Sequence, residues 1–142
     1  MAKNRKNDIR IPPQSIDSEK AVLGSIMLRK EAMEEVEDLI NPDSFYVEKH
    51  KMIFRAMLDL SAKNEPIDML SLSTKLGEQK LLEAIGGNQY LAEIVNVVPS
   101  STNVKHYAEI VQKKYVLRSL IEQQIMFLNL LLKKEMTTWM IF

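Results

Sequence analysis

A chain of 142 residues is sized for one domain with a real core, and 46% hydrophobic against 27% charged residues places it in the ordinary globular class rather than the disordered one. Basic and acidic residues balance at 19 each, so no global field attracts nucleic acid and any such binding needs a local patch. Cysteine is absent, which excludes a disulfide scaffold and thiolate metal sites and fits a reducing compartment. The first ten residues are too polar for a secretory signal, and no apolar run approaches the ~20 residues that span a bilayer, so a cytoplasmic protein without a membrane partner is expected.

Residues 1–10, with Lys3, Arg5, Lys6 and Arg10, read as a disordered polar arm. Pro12-Pro13 then holds the backbone extended, Ser15 can cap a helix, and Asp17 and Glu19 set negative charge against its positive end. Ile16, Leu23, Ile26 and Met27 share one face of this helix, while Ala21, Gly24 and Ser25 let another helix approach closely. It should end near Lys30. Ala32, Val36, Leu39 and Ile40 mark a second short helix, stopped by Asn41-Pro42-Asp43. Phe45 and Tyr46 are expected to tuck into the core. A third helix is predicted over 47–62, with Ile53, Phe54, Met57, Leu58 and Leu60 on its buried side. After a turn at 63–66, Asp68 caps a fourth helix carrying Met69, Leu72 and Leu76.

Gly86-Gly87 is the one glycine pair, and helix C-termini commonly need a residue at positive φ. A short helix is predicted before it, over 80–85, and another after it, over 89–95, with Tyr90, Leu91 and Ile94 apolar. Pro99-Ser100-Ser101-Thr102 breaks the chain and offers hydroxyl caps. The longest pattern begins at Asn103: Val104, Tyr107, Ala108, Val111, Tyr115, Leu120 and Ile121. Persisting to Lys134, this helix would span about 48 Å, more than the diameter of a compact domain of this size, so its far end should project and need a partner. No strand-period segment competes, and the fold is expected to be all-α.

Catalytic signatures are absent from the sequence. There is no Walker-type phosphate loop and no dinucleotide glycine pattern. His50 and His106 fit neither a zinc-protease nor a di-iron motif. His106 and Glu109 share a helix face as an ordinary surface pair, and His50, between Lys49 and Lys51, reads as a surface residue at a helix start. Lys105, Lys113, Lys114 and Arg118 spread over a wide arc and read as a solvated face before a nucleic-acid contact. Tyr90, Tyr107 and Tyr115 follow helical spacing, as core or protein-interface residues do. The residues thus describe a helical interaction module. The rival from another class is a helical nucleic-acid-binding domain using the basic face of the last helix, and a small histidine enzyme ranks last.

The run from Ile11 to Ile26 (Ile-Pro-Pro-Gln-Ser-Ile-Asp-Ser-Glu-Lys-Ala-Val-Leu-Gly-Ser-Ile), followed by Phe45-Tyr46, resembles the start of DnaB-type bacterial replicative DNA helicases. The resemblance continues in order through His50-Lys-Met-Ile-Phe-Arg-Ala-Met57, Leu60, Pro66-Ile-Asp68, Gly86-Gly87, Tyr90-Leu-Ala-Glu93, Pro99-Ser100, Asn103, Tyr107-Ala108, Ile110-Val111 and Leu117-Arg118. It implies an N-terminal domain with a compact orthogonal helical bundle over 11–102. A long helix over 103–142 would follow as the first arm of a helical hairpin. In the family such domains pair through the hairpins and form a collar on a hexameric ring, which receives primase. The chain is then expected to form homo-oligomers, dimer or hexamer, to dock primase and possibly a helicase loader, and to meet DNA only indirectly. It would have no enzymatic activity or cofactor of its own, ATP and Mg belonging to the family's motor, which this sequence lacks. For self-association the candidates are Tyr107, Val111, Tyr115 and Arg118, with Tyr107, Val111, Tyr115 and Ile121 expected to be exposed beyond the bundle; for partner contact they are Asp17, Tyr90 and Ile121.

The sequence departs from the family at Lys80, where a glycine is usual, so that the helix end there is expected to shift toward Gly77. It departs again after Gln123, where Ile125, Met126, Phe127, Leu128, Leu130, Leu131 and Leu132 crowd together and Trp139 to Phe142 end the chain apolar. A helix apolar on nearly every side must be buried. An altered reading frame, a cut gene or a natural short form whose tail packs on a second copy would each produce such a tail.

Overall fold

A computed structural model describes residues 11–99 and 103–141, with the side chain of residue 141 excepted. The expectations for the polar arm at 1–10 and for hydroxyl caps at Ser100, Ser101 and Thr102 lie outside the described residues. Helices α1 (Ile16–Leu28), α2 (Ala32–Val36), α3 (Glu48–Ala62), α4 (Met69–Glu78), α5 (Gly87–Val97) and α6 (Val104–Ile141) follow in order, with a 3-10 turn at Pro42–Ser44. No strand occurs among the described residues, so the fold is all-α.

The described residues fall into two units. One is Gln14–Tyr115, and the other joins 11–13 to the part of α6 from Val116 onward. The first unit therefore takes in the opening turns of α6, because Val104, Ala108 and Val111 are buried in the same core as Leu23, Ile26, Phe54, Met57, Leu72, Leu76, Leu91 and Ile94. Each of these side chains other than that of Ala108 contributes roughly 1.5–3 kcal/mol by leaving water.

Helix α1 is the centre of this unit. Ser15 caps it by accepting the Ser18 N–H. Every residue from Ala21 to Met27 is buried. Ile16, however, is exposed rather than on the core face, because it sits a turn before the enclosed stretch. The small residues act as their size suggests. A Cβ at Gly24 would overlap Val98 Cγ2 and lie 2.8 Å from the Ile94 carbonyl oxygen, so the backbone of α5 lies directly on that of α1.

Three predicted boundaries are corrected. Helix α1 stops at Leu28, two residues before Lys30, and α2 stops at Val36, with Leu39 and Ile40 in the turn that follows. The stretch expected as a helix over 80–85 is a run of turns. Its start is set by Lys80, which has φ of +60°. The Lys80 N–H donates to the Gly77 carbonyl and the Leu81 N–H to the Leu76 carbonyl, the paired bonds of a Schellman termination. Lysine thus adopts the left-handed conformation that terminates α4. Asn64 (φ +55°) ends α3 with the same pair of bonds, to Ser61 and Leu60. Asp68 and Ser71 form the capping box that opens α4.

Helix α6 runs past Lys134 to Ile141, about 57 Å for its 38 residues. Gln112, on its early part, accepts the Ser44 hydroxyl at 2.9 Å, while Ser44 accepts the Asn41 N–H. That pair fixes the 3-10 turn to α6.

Candidate functional site

The polar chemistry of the first unit is concentrated in one chain of side chains. Glu19 is only 1% exposed and His50 is fully buried. Glu19 Oε2 accepts the Tyr46 N–H at 2.9 Å, and Oε1 accepts the Val47 N–H at 3.3 Å. The same Oε1 stands 2.8 Å from His50 Nδ1, and His50 Nε2 stands 2.6 Å from the Tyr90 hydroxyl. Both contacts of the ring are met when Nδ1 carries the proton it donates to Glu19 and Nε2 accepts from Tyr90. The relay therefore links α1, the extended link before α3, α3 itself and α5.

The reading of His50 as a surface residue is corrected here. His50, Ile53, Phe54, Met57 and Leu60 occupy one face of α3, so the imidazole continues the apolar stripe inward and meets Phe45 edge-on. Glu19 likewise turns inward, away from a purely electrostatic role at the helix start. Two backbone donors and the imidazole replace its hydration, as a buried carboxylate requires. Phe45 is buried as expected and tilts against Phe54, whereas Tyr46 stays exposed, because its backbone N–H rather than its ring faces the core.

A carboxylate–imidazole–hydroxyl sequence has the order of a nucleophile triad, but both Glu19 and His50 are enclosed and no substrate atom reaches the imidazole. Among the described residues no group of three or more histidines or carboxylates is placed to hold a metal ion. What the relay does is hold Tyr90. The Tyr90 and His50 rings stack at 6.0 Å and 17°. Lys49 Nζ lies 4.2 Å and Lys20 Nζ 5.9 Å from the Tyr90 ring centre, and Lys20 pairs with Glu93 at 3.3 Å. Partial burial raises the Tyr90 pKa, and the Glu93 and Glu19 carboxylates add to the rise. A half-buried tyrosine is thereby presented on the α5 surface with a cationic rim.

The other candidates fall as follows. Asp17 is exposed on α1. Tyr107 is partly buried against the core, and Tyr115 is half-buried. Val111 is not exposed: it is part of the bundle's own core, because α6 enters the bundle through Val104, Ala108 and Val111. Arg118 is 9% exposed and donates to the Pro13 carbonyl at 2.8 Å, so it is not part of a solvated basic face. Ile121 is 45% exposed. His106 and Glu109 are both exposed. Sequence reasoning missed Glu19 and His50. The helical spacing from His50 to Leu60 was the available signal, masked by lysines on either side.

The Gln14–Tyr115 bundle pairs its buried carboxylate and imidazole internally and leaves Asp17 exposed and Tyr90 partly exposed. The chain belongs to the DnaB-like helicase N-terminal domain family, whose model matches residues 11–113. It is 43% identical over 112 residues to the replicative DNA helicase DnaC of Bacillus subtilis, and 44% identical over 112 residues to the replicative DNA helicase DnaB of Geobacillus stearothermophilus. Each match takes in 79% of this chain and 25% of the helicase, so the chain spans about a quarter of the length of these relatives. The crystal structure of the N-terminal domain of DnaB helicase from Mycobacterium tuberculosis superposes with a TM-score of 0.82 at 35% identity, covering 84% of this chain and 86% of that one. A DnaB-like replicative helicase, described with its interactions with primase, superposes with a TM-score of 0.70 at 32% identity, covering 82% of this chain and 28% of that one.

Proposed function

We propose that this chain supplies the N-terminal collar domain of a bacterial replicative DNA helicase, helping to assemble the helicase ring and offering primase a docking surface. The observation that carries this reading is the superposition on the mycobacterial N-terminal domain over most of both chains. The likeness to a helicase described with its interactions with primase supports the docking role. Asp17, Tyr90 and Ile121 are the partner-contact residues in this reading, all three reaching solvent. Tyr107, Tyr115 and Arg118 serve self-association, with Val111 acting from inside by seating α6 in the bundle. A helicase loader is a further partner for the same module. The domain works in the cytoplasm without chemistry or cofactor of its own; ATP, Mg and the grip on DNA belong to the family's motor. No helix among the described residues is long and apolar enough to cross a membrane.

A chimera tests this reading. Residues 1–121 replace the corresponding segment of the Bacillus subtilis DnaC helicase. The expected product assembles as a ring and binds primase. A chimera that folds and hydrolyses ATP, yet neither assembles nor binds primase, rejects the proposal.

A further inference from the structure

Three contacts fix the Tyr90 side chain on α5. At its base, a Cβ at Gly86 would stand 3.0 Å from Tyr90 Cβ, so the turn that opens α5 closes against the start of the side chain. At its tip, the hydroxyl lies 2.6 Å from His50 Nε2, and the imidazole is itself held by Glu19 at 2.8 Å. Over its face lies Lys49 Nζ, 4.2 Å from the ring centre. A tyrosine on a helix surface ordinarily exchanges between χ1 rotamers; contact at base, tip and face selects one. Ordering a side chain before association removes that cost from the binding step.

The same contacts decide what the site can bind. The phenol hydrogen is spent inward on His50, so the oxygen offers only lone pairs outward and repels an anion. The neighbouring lysines differ in how far they are already satisfied. Lys20 pairs with Glu93 at 3.3 Å, and Lys51 with Glu48 at 3.5 Å. Lys49 is partly exposed and forms no ion pair among the described residues. An ammonium has three donors, so one that rests on a ring keeps others to offer outward. The surface thus presents an uncompensated cation beside an ordered aromatic ring. That combination is complementary to an acidic side chain, whose carboxylate meets the lysine and not the phenol oxygen.

We propose that Lys49 and Tyr90 form the receptor for a carboxylate side chain of primase, and that Glu19 and His50 are its positioning residues. The inference rests on the reading of Tyr90 as a partner contact and adds the chemistry of what it meets. Near-isosteres cut the relay at either end. An asparagine amide stands near the place of Nδ1, so His50→Asn keeps a donor for Glu19 and leaves Tyr90 unheld. A glutamine amide stands near the place of Nε2, so His50→Gln keeps a partner for Tyr90 and leaves Glu19 short of one bond. A merely structural role makes docking follow stability, whereas positioning makes the two part.

Calorimetric titration of the whole chain with purified Bacillus subtilis primase tests this. His50→Gln should unfold earlier in urea yet bind within about twofold of the wild type. His50→Asn should keep more stability and bind about three- to tenfold more weakly. Tyr90→Phe cuts the same link from the surface and should weaken binding as much, even where a His50 variant does not fold. Lys49→Gln should weaken binding about two- to fivefold at low salt and flatten its decline with added salt. The 15N resonances of the wild-type imidazole should show the proton on Nδ1 and a hydrogen-bonded, unprotonated Nε2. Affinity that follows stability across the two His50 variants overturns the inference. So does wild-type binding by Tyr90→Phe or by Lys49→Gln, or a proton on Nε2. Wild-type affinity in Tyr90→Ala, or no binding by the wild type, instead rejects the Tyr90 contact itself and the inference with it.

Discussion

At the scale of single residues, the bundle's specificity rests on Glu19. Its carboxylate meets the Tyr46 and Val47 N–H groups and the His50 imidazole. Removing one member of a buried hydrogen-bonded pair leaves the other uncompensated. Glu19→Ala should therefore cost about 3–5 kcal/mol in denaturant unfolding, far more than Asp17→Ala one turn position away in solvent. Tyr90 gives the relay a pH signature. Burial, Glu93 and Glu19 raise its pKa above the ordinary 10.0, so the folded chain holds the phenolic proton more tightly than the unfolded one. The associated stability is fully present below the unfolded value and is lost as pH climbs through the folded one. Between pH 9 and 11 the wild type should lose more unfolding free energy than Tyr90→Phe, measured by urea titration at each pH. Equal slopes would show that the hydroxyl is not held as described. Little of this relay was legible from sequence. A histidine between lysines, and a glutamate in a first turn, both have ordinary surface roles, and only the third dimension shows that α5 closes over them.

At the scale of elements, the helices were largely legible because their periodicity and stop signals agree: Ser15 and Asp68 cap where their side chains allow, and Pro42 and Pro66 fall in connections. The ends were less legible, since they depend on single backbone conformations. Lys80 is the clearest case. The Schellman bonds hold it at φ +60°, where a Cβ is unfavourable. Lys80→Gly should stabilise the fold by about 0.5–1 kcal/mol in thermal or chemical unfolding, glycine's extra freedom when unfolded offsetting part of the relief. The contact of α1 with α5 has the opposite sensitivity. Gly24→Ala gains helix propensity but drives a methyl into Val98 and the Ile94 carbonyl, so a net loss of about 1–3 kcal/mol is expected. An unchanged midpoint would mean the two helices can separate freely.

At the scale of the whole molecule, two kinds of sequence information diverge. Residues 11–113 carry a family's ordered set of matches, and the described part of that segment builds a bundle that superposes on a solved N-terminal domain. Beyond Val116 large apolar side chains are exposed around much of the helix. The crowding of apolar residues there was legible as a demand for burial, and the helix carries it without a break from Val104 to Ile141. The central claim concerns the bundle, and primase binding tests it most directly. Titration of the whole chain with purified Bacillus subtilis primase, followed by calorimetry, should give saturable binding in the micromolar range, weakened at least about tenfold in an Asp17→Ala/Tyr90→Ala/Ile121→Ala variant of unchanged helicity. A folded chain that shows no binding at about 100 μM primase, or a triple variant that binds as tightly as the wild type, would contradict the account.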